Sequence, residues 1–526
     1  MTTSASTSKV TYSSTSVDMT DFHRRFDAAI ADVKSRAGQE HPLYINGEAV
    51  SSPLPPIVDL APADNSLVLG KFASASAALV EQAISGARAA QKGWARTPWK
   101  ERVAVLRKAA EIIRERKYEI SAVMSLEVGK SRMESMGDTE ESADLIDYYA
   151  GIYEEAAGYD KPMGRLTPNE NTRTILRPFG VFACIAPFNF PMALSTGMSS
   201  AALMTGNTVV YKPAQDTPWT GLLLREVYAA AGVPAGVFQY VSGLASNMGD
   251  ALWKNPHVDG IVFTGSKDVG MRLAKEFSTR WPKPVLMEMG GKNPAIVTES
   301  ADLELAAEGV MRSAFGLQGQ KCSACSRVYV DSKVAAEFTR LLVEKTRALK
   351  MGDPADKDVY FGPVINKKAM KTFLDAAEQA RKDGEILIGG ERLSGELFDK
   401  GTFVAPTIAK LPLNSTLFER ELFVPFLSLG VVSGLDEALR ESNKVEFGLT
   451  AGIFSRKQDE LDRFFDEIEA GVTYSNRRTG ATTGAWPGVQ SFCGWKGSGS
   501  TGKGGCGPYY VAQFMREQSR TVMEAK

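Results

Sequence analysis

The sequence predicts an α/β protein built on parallel sheets, and three observations carry that prediction. Helical and strand-like patterns alternate for most of the 526 residues. The strand-like stretches are short and apolar, and a composition of 44% hydrophobic and 23% charged residues suffices for a large core spread over roughly two to four structural units. Residues 80–94 and 102–117 repeat apolar side chains at helical spacing among strong helix formers, so both are amphipathic helices, the second running on into 120–128. Apolar runs follow at 181–186, 208–211, 237–241 and 260–263, separated by helical stretches such as 219–231. Strand, helix, strand at that interval is a parallel sheet with crossover helices. The rhythm resumes after Pro294 in 295–297, 302–314, 327–330 and 335–349, which predicts a second α/β unit. Residues 169–178 alternate (Thr172, Thr174, Leu176) like a hairpin strand and are expected to form an arm that pairs with another subunit. The Ser/Thr-rich start, MTTSASTSKVTYSSTS, lacks the apolar stretch of a secretory leader and reads as a flexible tail.

Composition also excludes. Lys plus Arg (61) balance Asp plus Glu (62) without long blocks, so no nucleic-acid partner and no anionic membrane is expected. The most apolar stretch, 180–203, is interrupted by Pro187, Asn189 and Pro191 and does not read as a membrane span. Five cysteines, odd and sparse, argue against a disulfide scaffold and for a reducing compartment, hence a cytoplasmic protein. His23, His41 and His257 have no partners at ligand spacing, so neither a metal site nor a Ser/His/Asp triad is expected. The usual phosphate-cradling motifs, G-x-x-x-x-G-K-[ST] and G-x-G-x-x-G after a strand, are absent.

Four places remain that can carry chemistry. Residues 261–270 run from an apolar strand through a Gly turn to Ser266 at a helix start, where free N–H groups can face a pyrophosphate. Cys322 follows the Gly-rich approach Phe315-Gly316-Leu317-Gln318-Gly319-Gln320-Lys321, and nearby backbone dipoles can favour its thiolate as a nucleophile that needs no histidine. Its C-x-x-C spacing to Cys325 predicts a reversible disulfide under oxidation. Glu288 ends an apolar strand before Met289-Gly290-Gly291, where a carboxylate with a raised pKa can act as a base towards water. Asn189, between Pro187-Phe188 and Phe190-Pro191, offers a fixed amide to an oxyanion.

Taken with Lys212 in Tyr211-Lys212-Pro213-Ala214, the Phe263-Thr264-Gly265-Ser266 turn and Glu421-Leu422-Phe423, these residues resemble the aldehyde dehydrogenase superfamily, in its order and spacing. The resemblance implies a Rossmann-type dinucleotide-binding domain from 41–157 and 180–288, an α/β catalytic domain from 289–495, and a small β oligomerisation arm from 158–179 and 496–526. Residues 1–40 are left as tail and first helix, and a homodimer or higher homo-oligomer follows. Cys322 would attack the aldehyde, Asn189 and the Cys322 N–H would hold the oxyanion, and Glu288 would activate the water that hydrolyses the thioester. The cofactor, NAD or NADP, would be held by Ala186, Pro187, Phe188, Lys212, Gln215 and Gly249, by Phe263, Thr264, Gly265 and Ser266, and by Met289, Gly290, Glu421 and Phe423.

Residues 315–327 (FGLQGQKCSACSR), 41–45 and Asn476-Arg477-Arg478 with Thr483-Gly484-Ala485 are similar to the branch that oxidises L-glutamate γ-semialdehyde, the open form of 1-pyrroline-5-carboxylate. There Ser323, Gly484 and Ala485 would hold the substrate carboxylate through neutral donors. Thr-Gly-Ala recurs at Thr479, so either copy can be this anchor; Ser491-Phe492-Cys493-Gly494 and Val424 depart from the family pattern and alter the pocket rim. Gln215 stands where NAD-preferring members carry a glutamate, which leaves NADP open. Two alternatives stand beside this reading: a dehydrogenase of another small or aromatic aldehyde, and a non-catalytic nucleotide-binding protein on the same fold.

Overall fold

The structure, a computed structural model, describes residues 19–479 and 486–524. Two large sheets organise it. In the first, Val285–Glu288, Gly260–Thr264, Val181–Ile185, Thr208–Lys212 and Phe238–Tyr240 lie parallel in that spatial order, and the hairpin Leu43–Ile45/Glu48–Val50 is added antiparallel at the far edge. The second runs Glu385–Ile388, Thr407–Lys410, Phe426–Val432, Cys325–Asp331, Asn293–Val297, Thr450–Phe454, Val472–Ser475, parallel except for its first strand. The apolar runs read from the sequence are these strands, buried on both faces as parallel sheets require.

The helices form where the apolar period and the ends agree. Ala77–Arg96 starts at Ser76, whose side chain accepts a hydrogen bond from the Leu79 N–H, and buries Val80, Ala83, Ile84 and Ala87. Trp99–Glu115 and Lys117–Val128 are separate helices broken at Arg116, and the second stops at Gly129 in the left-handed conformation (φ 81°). Met19–Ser35 packs Phe22, Phe26, Ile30 and Val33 into the core, so within 1–40 the helix is an integral part of the fold. Among the described residues no helix is long and apolar enough to cross a membrane.

Glu170–Pro178, expected to pair with another subunit, is the central strand of a three-stranded sheet within this chain. It pairs antiparallel with Met515–Met523 on one side and Asp160–Pro162 on the other. The alternating pattern identified the strand correctly but carried no information about which chain supplies its neighbour. The edges of this sheet are Met515–Met523 and the short strand Asp160–Pro162.

Candidate active site

Cys322 sits just after a turn that the backbone adopts at a cost. Leu317 (φ 48°), Gln318 (φ 54°) and Gly319 (φ 67°) are all left-handed, and non-glycine residues there store strain of about 1–3 kcal/mol each. Hydrogen bonds hold the turn: Gln320 N–H donates to Leu317 O at 3.0 Å, and Ile365 N–H donates to Gln320 Oε1 at 2.9 Å. Beyond the cysteine, the Asn293 side-chain amide donates to Cys322 O at 2.6 Å and to Ala324 O at 2.9 Å, while its Oδ1 accepts from Thr450 N–H at 3.0 Å. Asn293 therefore ties the cysteine loop to two strands of the second sheet.

The thiol departs from the sequence expectation in its protonation. The backbone N–H groups of Cys322 and Ser323 favour the thiolate as foreseen, but burial and the nearby Glu421 and Glu288 carboxylates outweigh them and push Cys322 up to about 12. These surroundings favour the neutral thiol over the thiolate when the cleft is empty. Cys325 has different surroundings: its Sγ donates to Arg327 O at 3.4 Å within the hydrophobic core, which does not favour the disulfide expected from C-x-x-C spacing.

Glu288 lies at the end of Val285–Glu288, in register with Thr264. Burial raises its carboxyl to about 8 against a single opposing hydrogen bond from the Gly494 N–H, and its Oε2 is buried without a partner. Such an oxygen is placed to take a proton.

Two cavities meet at Cys322. The inner one, about 830 Å³ counted together with the solvent space open to it, is lined by Cys322, Glu288, Ser323 and Thr264 together with Glu141, Tyr149, Phe190, Met198, Phe492, Cys506 and Tyr510. The outer cleft, about 1340 Å³ with its mouth, is lined by Cys322 and Asn189 and by most of the expected cofactor residues. Ala186, Pro187 and Phe188 follow the strand Val181–Ile185, and Gln215 follows Thr208–Lys212. Phe263, Thr264, Gly265 and Ser266 form the next turn, Met289 and Gly290 follow Glu288, and Glu421 and Phe423 reach in from the second unit. Lys212 and Gly249 are not among the lining residues. Burial lowers Lys212 to about 8, and its Nζ is turned to Pro213 O at 3.1 Å. Gly249 instead ends the short helix Ala245–Met248 with φ 56°.

The outer cleft fits a dinucleotide. Helix Lys267–Phe277 opens at Ser266 with no side-chain cap, so its first N–H groups are free to meet an anion. Gly290 lets the chain pass beside Glu421: a Cβ there would lie 2.1 Å from Glu421 Oε2. Glu421 accepts from Gly291 N–H at 2.8 Å, and burial raises it to about 7.

Several lining residues were not singled out from the sequence. Glu141, Cys506 and Tyr510 line the inner cavity without belonging to a motif, Phe190 and Phe492 stood in quoted motifs without a role of their own, and Asn293 acts through carbonyls that only the fold brings within reach. The signal at Asn293 was its place directly after Gly290-Gly291-Lys292, at the start of a buried strand. Of the expected carboxylate anchor, Ser323 is buried on the cavity wall, whereas Gly484 and Ala485 lie outside the described residues. Among the described residues no group of three or more His, Cys, Asp or Glu side chains could hold a metal ion.

The profile of the aldehyde dehydrogenase family matches residues 51–519. The 1-pyrroline-5-carboxylate dehydrogenase of Geobacillus sp. (strain WCH70) is 38% identical over 517 residues, 96% of this chain and 98% of that one. The 1-pyrroline-5-carboxylate dehydrogenase 2 of Bacillus subtilis (strain 168) is 38% identical over 506 residues, 95% and 96% of the two chains. Among solved structures, 1-pyrroline-5-carboxylate dehydrogenase from Thermus with bound NAD superposes with a TM-score of 0.92 at 34% identity, covering 97% of this chain and 98% of that one. An NADP-dependent enzyme of E. coli superposes at 0.85 with 30% identity, covering 92% and 98%. With its profile match across both sheets and full-length relatives well above 30% identity, the chain belongs to the aldehyde dehydrogenase family, oxidoreductases that use NAD(P).

Proposed function

We propose that the protein oxidises L-glutamate γ-semialdehyde to L-glutamate in proline catabolism, through a thiohemiacetal and a thioester on Cys322. The observation that carries this reading is the position of Cys322 where the two cavities join, with Glu288, whose Oε2 is without a partner, lining the inner one. Relatives named 1-pyrroline-5-carboxylate dehydrogenase support the choice of substrate.

Because its surroundings favour the neutral thiol, the first step is a proton transfer from Cys322 Sγ to a Glu288 carboxylate oxygen. The sulfur then forms a bond to the aldehyde carbon, and the carbonyl oxygen, now anionic, is held by the Asn189 side-chain amide and the Cys322 N–H. Ser266, at the open start of helix Lys267–Phe277, and Glu421 would hold NAD(P) in the outer cleft, where it would supply the oxidant for the hydrogen leaving the substrate carbon as hydride. Glu288 releases the proton taken from Cys322 to solvent before hydrolysis; it then removes a proton from water, whose oxygen adds to the thioester carbon, and returns it to Cys322 Sγ as the C–S bond breaks and the carboxylic acid is released.

The inner cavity matches the substrate's charges. Ser323 on its wall, with Gly484 and Ala485, would receive the α-carboxylate, and the Glu141 carboxylate would face the α-ammonium. Either cofactor is accommodated in this reading, since the neutral Gln215 in the cleft does not repel a 2′-phosphate. Subunits would associate through the sheet that contains Met515–Met523, and the five free cysteines suit the cytoplasm.

The test is turnover. Reduced cofactor should appear at 340 nm with glutamate γ-semialdehyde, more slowly per active site with aldehydes that lack the α-carboxylate, and not with Cys322→Ala. Full turnover by Cys322→Ala, or a preference for an aromatic aldehyde, overturns the assignment.

A further inference from the structure

The ring of Phe190, which directly follows Asn189, lines the inner cavity together with Cys322. Two ammonium groups lie over that ring. Lys130 Nζ is 3.9 Å from the ring centroid and Lys321 Nζ is 5.6 Å away. Each has its own acid: Lys130 donates to Asp138 Oδ2 at 2.5 Å and Lys321 to Glu134 Oε1 at 2.7 Å. The Lys130–Asp138 pair is completely buried, with both side chains at 0% exposure. Asp138 has a second task. Its Oδ1 accepts the Ala193 N–H at 2.7 Å, and so caps from a distance the helix Ala193–Met204, whose own preceding residue Met192 provides no side-chain cap.

A buried ion pair adds little to stability compared with apolar residues of similar volume, because desolvating two charges offsets their attraction. Its value is directional. An ammonium held on a ring face fixes ring and cation together, and the carboxylate behind it fixes the start of the helix that begins three residues after the ring. Lys321 adds a second such contact from the residue next to Cys322, so that the nucleophile's own loop and the opposite wall are tied at the same ring.

We infer that Lys130 and Lys321 are positioning residues that clamp Phe190, and that the clamp sets the width of the aldehyde cavity so that it takes a slender acyl chain unbranched next to the carbonyl. This rests on the reading of that cavity as the aldehyde site. The clamp acts on fit, so it governs KM and the discrimination between aldehydes, and leaves the chemical groups Cys322, Glu288 and Asn189 in place.

The experiment compares the parent enzyme with Lys130→Met/Asp138→Asn, which removes both charges yet keeps an acceptor for the Ala193 N–H. Steady-state kinetics are read with glutamate γ-semialdehyde, propanal and 2-methylpropanal. KM for glutamate γ-semialdehyde should rise about tenfold with kcat within about threefold, and the preference for propanal over 2-methylpropanal should fall about tenfold, within the roughly thirtyfold that a desolvated cation–π contact can supply. Lys130→Arg, which keeps a cation over the ring, should restore most of the preference. Should the double variant fail to fold, Lys321→Met/Glu134→Gln is expected to lower the same preference. A folded variant with unchanged preference and KM overturns the clamp, as does a loss confined to kcat. A parent enzyme that oxidises none of the three aldehydes overturns the functional reading and the clamp with it.

Discussion

Glu288 holds its proton more tightly in the folded protein than in the unfolded chain, about 8 against 4.5, because burial disfavours the carboxylate. The sign of the consequence follows from linkage. The stabilising contribution of this group is complete below pH 4.5 and is lost as pH rises through about 8, so the fold is weakened on the alkaline side where the base works best. Glu288→Gln should therefore melt higher than the parent at pH 9, by several degrees, with little difference at pH 4, while turnover falls at least about a hundredfold. A variant that melts lower at pH 9 contradicts the assignment. In the parent, kcat/KM should climb with a midpoint near pH 8 as Glu288 ionises. Gln215 makes the complementary case, a charge that is missing. Gln215→Glu should depress kcat/KM with NADP by about tenfold or more through repulsion of the 2′-phosphate and change the value with NAD less than about threefold. A parent that prefers NAD more than a thousandfold would refute the tolerance of NADP.

The loop that presents Cys322 works because a strained turn on one side is balanced by Asn293 on the other. Removing that amide leaves the carbonyls of Cys322 and Ala324 without their donor, at a cost of about 1–3 kcal/mol, and frees the cysteine to drift. Asn293→Ala is expected to lower kcat about a hundredfold while fluorescence titration with NAD shows an unchanged affinity. Equal losses in both would mean that the residue serves only the fold. Much of this architecture was readable in advance. The stripe of Val80, Ala83, Ile84 and Ala87 and the apolar strand 260–263 declare themselves because burial there is paid in hydrophobic surface, with a fixed period. Arg132–Glu155 did not, because its buried face carries Ser135, Asp138, Glu140 and Ser142, and those polar groups are satisfied only by partners distant in sequence, such as Ala193 N–H for Asp138. The same holds in the site. Cys322 and Glu288 could be paired through a family resemblance, but their ordering of sheets, the high thiol pKa and the Glu141 wall come from burial that no local spacing records.

The two large sheets explain how the proposed nucleophile and base come from different units: Glu288 closes a strand of the first sheet, and Cys322 lies three residues before the strand Cys325–Asp331 of the second. The third sheet contributes to neither cavity through its outer strand. Met515–Met523 exposes every residue but Met515, including Val522 and Met523 at 61% and 53%, and pairs along all nine residues with Glu170–Pro178 on one side only. A long strand with an unpaired edge and apolar side chains is normally covered. On the proposed reading, subunits would associate through that edge, and an adjoining copy's backbone would supply the missing hydrogen bonds. Deleting residues 516–526 keeps Phe514 and Met515 in the core and removes the strand, so the truncated protein should elute as a smaller species than the parent in size-exclusion chromatography with light scattering. Its activity per active site should fall less than its oligomeric mass implies, since the cavities are lined by residues up to Tyr510. A truncated protein with the parent's mass in solution would assign the interface to another face.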